Sequence, residues 1–347
     1  MRPRPIANPP NPWESAAVEW LGDPPPARPE VYLDATREIL SRNDSPDVPF
    51  TWSVNPYRGC AHACAYCYAR PTHEYLGFGA GTDFETRIVV KLGAPDLLRA
   101  AFERHSWRGE PVAFSGATDP YQPLEASYRL TRACLAVCAE YRNPVGLVTK
   151  APLVERDLDL LAELEASARV RVTISLPFLE AGRARALEPW AASPARRLLT
   201  VERLARAGIP VAVNLAPVIP GLNDEEIPRL LAAAAAAGAR CAGWQLLRLP
   251  GSTRAVFAER LRAALPERAE RILHGIRETR HGRLSDTRFG WRGRGQGTRA
   301  EAIAALFDIA ARRLGLETAG GGAEPATTFR RPGRTQLPLP LAGRPRA

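Results

Sequence analysis

Asn55-Pro-Tyr-Arg-Gly-Cys60-Ala-His-Ala-Cys64-Ala-Tyr-Cys67-Tyr-Ala-Arg70 holds three of the six cysteines of this 347-residue chain, at C-x3-C-x2-C spacing. Thiolates are soft ligands suited to iron–sulfur clusters or zinc, and spacers of three and two residues let one short loop wrap a small metal centre. Three thiolates leave a four-iron cube one ligand short. The open iron is then a place where a small molecule can chelate. Zinc would need a fourth ligand, which His62 or His73 could supply, although the usual pair of C-x2-C knuckles is absent. A disulfide framework fits poorly with six cysteines in a long chain whose start, Met1-Arg-Pro-Arg-Pro, has no apolar run behind it.

Outward from the loop, the chain reads as repeated units of a short β-branched run, a polar or glycine-bearing turn and an amphipathic helix. The alternation ending in Phe50-Thr-Trp-Ser-Val54 predicts a first strand that delivers the cysteines, and a helix is expected over Tyr68 to Tyr75. Phe84 to Lys91 alternates again, and Asp96 to His105 reads as helix. Further strands are predicted at Val112–Phe114, Val145–Thr149, Val170–Leu176, Val211–Ala216 and Trp244–Leu249. Helices are predicted near Leu130–Tyr141, Leu153–Glu165, Pro194–Ala207, Asp224–Ala237, Arg254–Arg277 and Arg299–Leu314. Strand and helix in this alternation argue for an α/β fold of parallel units. About six are visible, fewer than the eight of a closed barrel, so a partial (β/α)6 TIM-type barrel is expected.

Ligands of such a barrel meet the C-terminal ends of the strands. Those positions hold Ser115 and Gly116, then Asp119 and Tyr121, then Lys150, one of only two lysines. On the strand from Val170, the polar positions Thr173 and Ser175 alternate with Val172 and Ile174, so they face a common side. The Val218–Ile219 turn, framed by Pro217, Pro220 and Gly221, presents rigid backbone suited to an adenine edge.

Net charge is +10, carried almost wholly by arginine. That suits a polyanionic partner such as nucleic acid, and the alanine, proline and glycine content suits an arginine-rich base composition equally. Arg280 to Arg299 mixes arginine and glycine with Phe289 and Trp291, which can neutralise phosphates and stack on a base, or simply close the barrel. No apolar run approaches the roughly 20 residues that cross a bilayer, and a cytoplasmic protein is expected. The expected organisation is a proline-rich extension over 1–43, with Trp13, Val18 and Trp20 able to pack it down. A core over 44–280, a basic glycine-rich segment and helix over 281–316 and a disordered tail over 317–347 follow.

The cysteine spacing with Tyr66 just before the last cysteine resembles the cluster motif of the radical S-adenosylmethionine superfamily. Asp83-Phe-Glu-Thr86, Ser115-Gly-Ala-Thr-Asp-Pro-Tyr-Gln-Pro123, Thr149-Lys150, Arg156-Asp157 and Ile219-Pro-Gly-Leu-Asn223 narrow the resemblance to its spore photoproduct lyase-like branch. The likeness is greatest to a bacterial group described as DNA repair photolyase-like. The resemblance implies a [4Fe–4S] cluster on Cys60, Cys64 and Cys67, with S-adenosylmethionine chelating the open iron and yielding a 5′-deoxyadenosyl radical that abstracts hydrogen. It implies that Ser115, Lys150 and Ser175 hold the amino-acid end of that cofactor, while the Tyr66 backbone and the Val218–Ile219 turn meet its adenine; Gly116 and Thr173 are expected beside them from their strand-end positions. An electron donor such as flavodoxin or ferredoxin is implied as well. The match departs from true spore photoproduct lyase, which is expected to carry a hydrogen-donating cysteine after the strand corresponding to Val112–Phe114, whereas Ser115–Tyr121 contains none. Asp119 and Tyr121 are therefore the candidate proton or hydrogen donors. Cys134, Cys138 and Cys241 are expected to be core residues. A peptide or small-molecule substrate, and a metal-binding nucleic-acid module without catalysis, are the competing classes.

Overall fold

The computed structural model describes residues 30–318 and 327–332. The proline-rich leader with Trp13, Val18 and Trp20, and most of the expected tail, lie outside the described residues. Among the described residues the strands are β1 (Glu30–Leu33), β2 (Leu40–Arg42), β3 (Trp52–Val54), β4 (Tyr57–Arg58), β5 (Arg87–Val90), β6 (Val112–Phe114), β7 (Val145–Thr149), β8 (Val170–Ser175), β9 (Val211–Val218), β10 (Cys241–Leu246) and β11 (Glu317–Thr318).

The main sheet runs β11-β10-β9-β8-β7-β6-β3-β2, and β3, β6, β7, β8, β9 and β10 pair in parallel throughout. These six are the expected partial barrel. β2 adds an antiparallel edge and β11 a short parallel one, and the sheet does not close. Helices over Leu130–Glu140, Leu158–Ser167, Pro194–Arg206 and Ile227–Ala236 return the chain between successive strands. Parallel strands covered by helices read as continuous apolar runs. Accordingly, Val112, Phe114, Leu147, Val172, Ile174, Val213 and Leu215 are buried against Leu135, Leu161, Leu164, Leu204 and Leu231 of the helices. Each such side chain contributes roughly 1.5–3 kcal/mol of burial free energy.

Several boundaries differ from expectation. Only Arg87–Val90 of the alternating run is strand, preceded by a helical turn over Thr82–Thr86, and it belongs to a separate sheet ordered β1-β5-β4. The long helix after residue 253 is two helices, Thr253–Ala264 and Pro266–Glu278, because Pro266 has no N–H to continue the first. In place of a helix over Tyr68 to Tyr75 there is a 3₁₀ segment over Arg70–Leu76, with Pro71 in its first turn. Cys134 and Cys138 are core residues as expected, whereas Cys241 is partly exposed at the start of β10, its Sγ 3.5 Å from Glu317 of β11.

Part of the expected disordered tail is packed. Phe329 sits edge-on to Phe102 and stacked on Tyr141, and Thr327 Oγ1 donates to the Gly109 carbonyl at 2.6 Å. Gly109 lies at φ +79°, and a Cβ there would fall 2.1 Å from that of Phe329, so this contact admits only glycine.

Candidate metal and cofactor site

β3 carries the chain to the barrel mouth and β4 turns it into the cysteine loop. Gly59 makes that turn at φ +77°, where a Cβ would lie 2.8 Å from the Phe84 carbonyl oxygen and 2.9 Å from His73. The loop is short and buried, so its backbone polar groups need partners. Other elements supply them. Arg70, fully buried, donates through Nε and Nη2 to the Cys64 carbonyl at 3.0 and 2.8 Å, and through Nη1 to Ala80 and Gly81. Arg260 Nη1 donates to the Ala63 carbonyl at 2.5 Å, and both guanidiniums converge on Glu85. Thr118 Oγ1 and Gln122 Nε2 donate to the Gly59 carbonyl, Gln122 Oε1 accepts from Ala61 N, and Thr253 Oγ1 reaches the Cys67 carbonyl.

With the backbone satisfied, the three thiols are what the loop has left to offer. None forms a disulfide. Burial pushes all three upward, Cys64 to about 11 against the pull of Lys150, so thiolates here call for a strongly cationic partner. A single zinc ion needs its donors converging at 2.0–2.3 Å on one point. Among the described residues no three His, Cys, Asp or Glu side chains converge that way. His73, expected as a spare ligand, is buried with Nε2 at 2.8 Å from the Arg87 carbonyl oxygen, and burial drives it down to about 4. His62 instead faces Asp119, Nδ1 to Oδ2 3.4 Å. Three free thiols on one short loop are the donor set that three corners of a four-iron cluster would take.

Lys150, at the end of β7, brings a cation to this loop. Its Nζ lies 3.6 Å from Cys64 Sγ, 3.3 Å from the Tyr66 hydroxyl and 3.2 Å from Glu188 Oε1. Glu188 is buried and also accepts from the Tyr66 hydroxyl and from Arg197. Burial would raise its carboxyl, yet Arg197 and Lys150 hold it down to about 2. Lys150 is raised by the Cys64 thiol and Glu188 against the opposing effect of burial. Glu188 and Arg197 escaped the sequence reading. Nothing local distinguishes a glutamate after Leu187, and only the fold carries it to Lys150.

The remaining expected residues divide. Ser115 and Gly116 close β6 at the mouth, Gly116 at φ +117° beside Asn55, whose Oδ1 accepts from Ala117 N at 3.0 Å. Thr173 is half-buried and Ser175 is 9% exposed on β8, where the Ser175 carbonyl accepts from Arg197. Val218 and Ile219 are buried, Ile219 in the apolar cluster that contains Tyr66. However, Asn223 Oδ1 already accepts from Ile219 N, and Leu247 N donates to the Val218 carbonyl, so this turn is closed on itself.

Asp119 and Tyr121, the candidate donors, are both hydrogen-bonded to neighbouring elements. Asp119 accepts from Thr149 Oγ1 at 2.6 Å and from Lys150 N and Tyr121 N at 2.9 Å, which ties the β6 loop to β7. Burial would raise it, but His62, Thr149 and the Lys150 N–H hold it at about 2. The Tyr121 hydroxyl, 1% exposed, donates to Asp157 at 3.1 Å. Both polar groups are committed to the scaffold and position the loop. Tyr68 is the aromatic that does face the mouth, 46% exposed, and it too went unnoticed. Burial and the Cys67 thiol push its phenol upward while Arg248 and the Ser115 hydroxyl draw it back.

Six parallel strands with three unpaired thiols and a fixed lysine at their C-terminal end define a cluster-binding partial barrel. Residues 54–234 match the Radical SAM superfamily, and the chain belongs to it. Its cofactors are a [4Fe–4S] cluster and S-adenosylmethionine. An uncharacterized protein of Mycobacterium tuberculosis is 42% identical over 226 residues, 65% of this chain and 66% of that relative, just under two thirds of its length. A Methanocaldococcus jannaschii protein is 31% identical over 173 residues, 50% of this chain and 62% of its own. The radical SAM Nalpha-GlyT isomerase of Pseudomonas phage M6 is 27% identical over 191 residues, 53% of this chain and 37% of its own. Among solved structures, spore photoproduct lyase complexed with dinucleoside spore photoproduct superposes with a TM-score of 0.57 at 15% identity, covering 83% of this chain and 81% of that one. That likeness is one of fold. Among the described residues no helix is long and apolar enough to cross a membrane.

Proposed function

We propose that this chain is a radical S-adenosylmethionine enzyme that abstracts hydrogen from a nucleic-acid or nucleotide-type substrate, in a lyase-like or DNA-repair reaction. When bound, the cluster and S-adenosylmethionine supply a 5′-deoxyadenosyl radical at the mouth of the barrel. The chain's own residues hold and orient. Cys60, Cys64 and Cys67 carry the cluster, and Arg70, Arg260, Thr118 and Gln122 fix their loop. The observation that carries the reading is the Lys150 ammonium, 3.6 Å from Cys64 Sγ and 3.2 Å from a buried carboxylate. Lys150 and Arg197 against Glu188 leave one positive charge in excess beside the cluster loop. That excess suits the carboxylate of an amino-acid group. Ser115, Gly116, Thr173 and Ser175 ring the same mouth and can take its remaining polar atoms, with Tyr66, Val218 and Ile219 on the apolar side.

A nucleotide-type substrate is supported by the arginine-rich charge, by exposed Tyr68, Phe289 and Trp291, and by the likeness in fold to a protein solved with a dinucleoside. A small reduced donor, flavodoxin or ferredoxin in kind, would deliver the electron. The test is anaerobic reconstitution with iron and sulfide, dithionite reduction, and chromatography for 5′-deoxyadenosine with single-stranded and duplex nucleic acids. Lys150→Ala weakens S-adenosylmethionine binding by calorimetry at least tenfold while iron content is retained. Equal affinity in the variant would sink the assignment of Lys150.

A further inference from the structure

The mouth holds a second group of cations that the cluster and its cofactor do not use. Past the end of β10 the chain passes Leu247 and Arg248, and Arg280 reaches them from the end of the helix Pro266–Glu278. Arg280 is 2% exposed. Its Nη2 donates to the carbonyls of Leu247 at 2.5 Å and Arg292 at 2.9 Å, while Nε and Nη1 are buried without a hydrogen-bond partner. Arg248 is half-buried and makes no hydrogen bond or ion pair among the described residues. Burial and the like charge of Arg292 push Arg248 downward, and burial with Arg248 pushes Arg280 to about 10 against the pull of Asp286. The neighbouring carboxylates are committed elsewhere, Asp47 to Arg292 and the Gly290 N–H, and Asp286 to Arg288.

Cations gathered and partly desolvated with too few counter-charges cost stability, and an anion that completes them recovers it. The planar guanidinium fork suits the tetrahedral oxygens of a phosphate. Aromatics stand beside these cations. The Arg248 guanidinium lies 5.8 Å from the ring centroid of Tyr68, which directly follows the ligand Cys67, and that of Arg292 lies 4.4 Å from Phe289. Tyr68, Phe289 and Trp291 are 46, 55 and 48% exposed. Exposed rings interleaved with guanidiniums are how sequence-tolerant sites take a base together with its phosphate.

We propose that Arg248 and Arg280 form a phosphate subsite for the substrate, with the attached nucleoside stacked towards Tyr68. The ligand is a phosphorylated nucleoside, free or within a single strand, and the proposal rests on the reading of a nucleotide-type substrate above. The site would set the reacting nucleotide next to the cluster loop rather than simply attract nucleic acid to the surface.

Fluorescence anisotropy of a labelled single-stranded oligodeoxynucleotide, with cluster-loaded protein and S-adenosylmethionine over a salt series, tests it. Arg248→Ala should weaken binding on the order of tenfold and reduce the slope of log K against log salt by about 0.7, the loss of one phosphate contact. Arg248→Lys should keep the slope and recover part of the affinity, and Arg206→Ala, on an outer helix, should match the parent. Competition by a mononucleotide as effective as by unlabelled strand identifies a free nucleotide; weak competition identifies a strand. A parent-like slope and affinity in Arg248→Ala, or a parent that binds neither probe, overturns the subsite. The parent's own 5′-deoxyadenosine yield separates the two readings. Formation of that product without Arg248-dependent binding removes the subsite alone, and Arg248-dependent binding without it removes the radical chemistry alone.

Discussion

The two arginine-bearing loops at the barrel mouth use the same side chain in opposite ways. In the cysteine loop, Arg70 is fully buried and its guanidinium is spent on carbonyls of Cys64, Ala80 and Gly81 and on Glu85. In the loop from Arg280 to Arg299, and in Arg248 beside it, guanidinium nitrogens are left without partners. A buried group that is fully bonded holds a shape, whereas one that is partly bonded has capacity for a ligand. The comparison teaches that the abundance of arginine says little about function here until each guanidinium is traced to its partners.

Breaking the first loop should have the largest effect. Arg70→Ala strips several buried carbonyls of their donor and leaves Glu85 with Arg260 alone, a loss of about 3–5 kcal/mol by analogy with other broken buried pairs. Urea unfolding of the metal-free protein should show that loss as a lower midpoint, and reconstituted protein should hold less iron. An unfolding midpoint no lower than that of Arg254→Ala, on an exposed helix face, would mean that the loop holds itself without Arg70.

The proposed ligands are legible in the sequence and their support is not, for a physical reason. Cys60, Cys64 and Cys67 stand out by a spacing that lets one short loop wrap a cluster. Gly59 could be read the same way. Arg70 needs Ala80 and Glu85, 10 and 15 residues further on, and Lys150 needs Glu188, 38 residues further on, contacts that exist only once separate elements have folded onto the loop. The strands show the same division. Val112–Phe114 and Val145–Thr149 fall where β-branched runs place them. β10 begins three residues earlier than expected, at Cys241-Ala-Gly, because its ladder with β9 starts at Cys241 and Ala212 whatever the local propensity. It also ends earlier, beyond a register shift between Trp244 and Leu246, which frees Arg248 from the sheet. Asp119 and Tyr121 illustrate the converse. Their strand-mouth position is legible in the sequence, whereas the hydrogen bonds they make to Thr149, the Lys150 N–H and Asp157 are not.

Asp119 sharpens the contrast through pH. Its carboxyl is held at about 2, against 3.8 ordinarily. A depressed carboxylate contributes stability above its unfolded value and loses it as pH falls through the folded one, so the window is roughly pH 4 to 2. The shift is worth roughly 2 kcal/mol. Asp119→Asn should therefore flatten the acid limb of a stability–pH curve and bring the variant closer to the parent near pH 2. An unchanged acid limb would mean that His62 and Thr149 do not bind the charged form.

The smallest effect is expected where the second loop is fastened. Asp47, in the turn between β2 and β3, accepts from the Gly290 N–H at 2.6 Å and pairs with Arg292, which also reaches Ser45. The loop, which packs beside β10, is thereby fastened to the β2–β3 turn at the other end of the strand order. Asp47→Ala removes these bonds near the surface, at a cost of about 1 kcal/mol. The barrel core does not touch them, so the global unfolding midpoint should move little while hydrogen exchange over residues 286–294 quickens. Freed from Asp47, Arg292 adds a third unpaired guanidinium beside Arg248, and phosphate affinity should rise slightly at low salt. Unchanged exchange in that segment would show that its glycine-rich backbone holds its shape without the fastening.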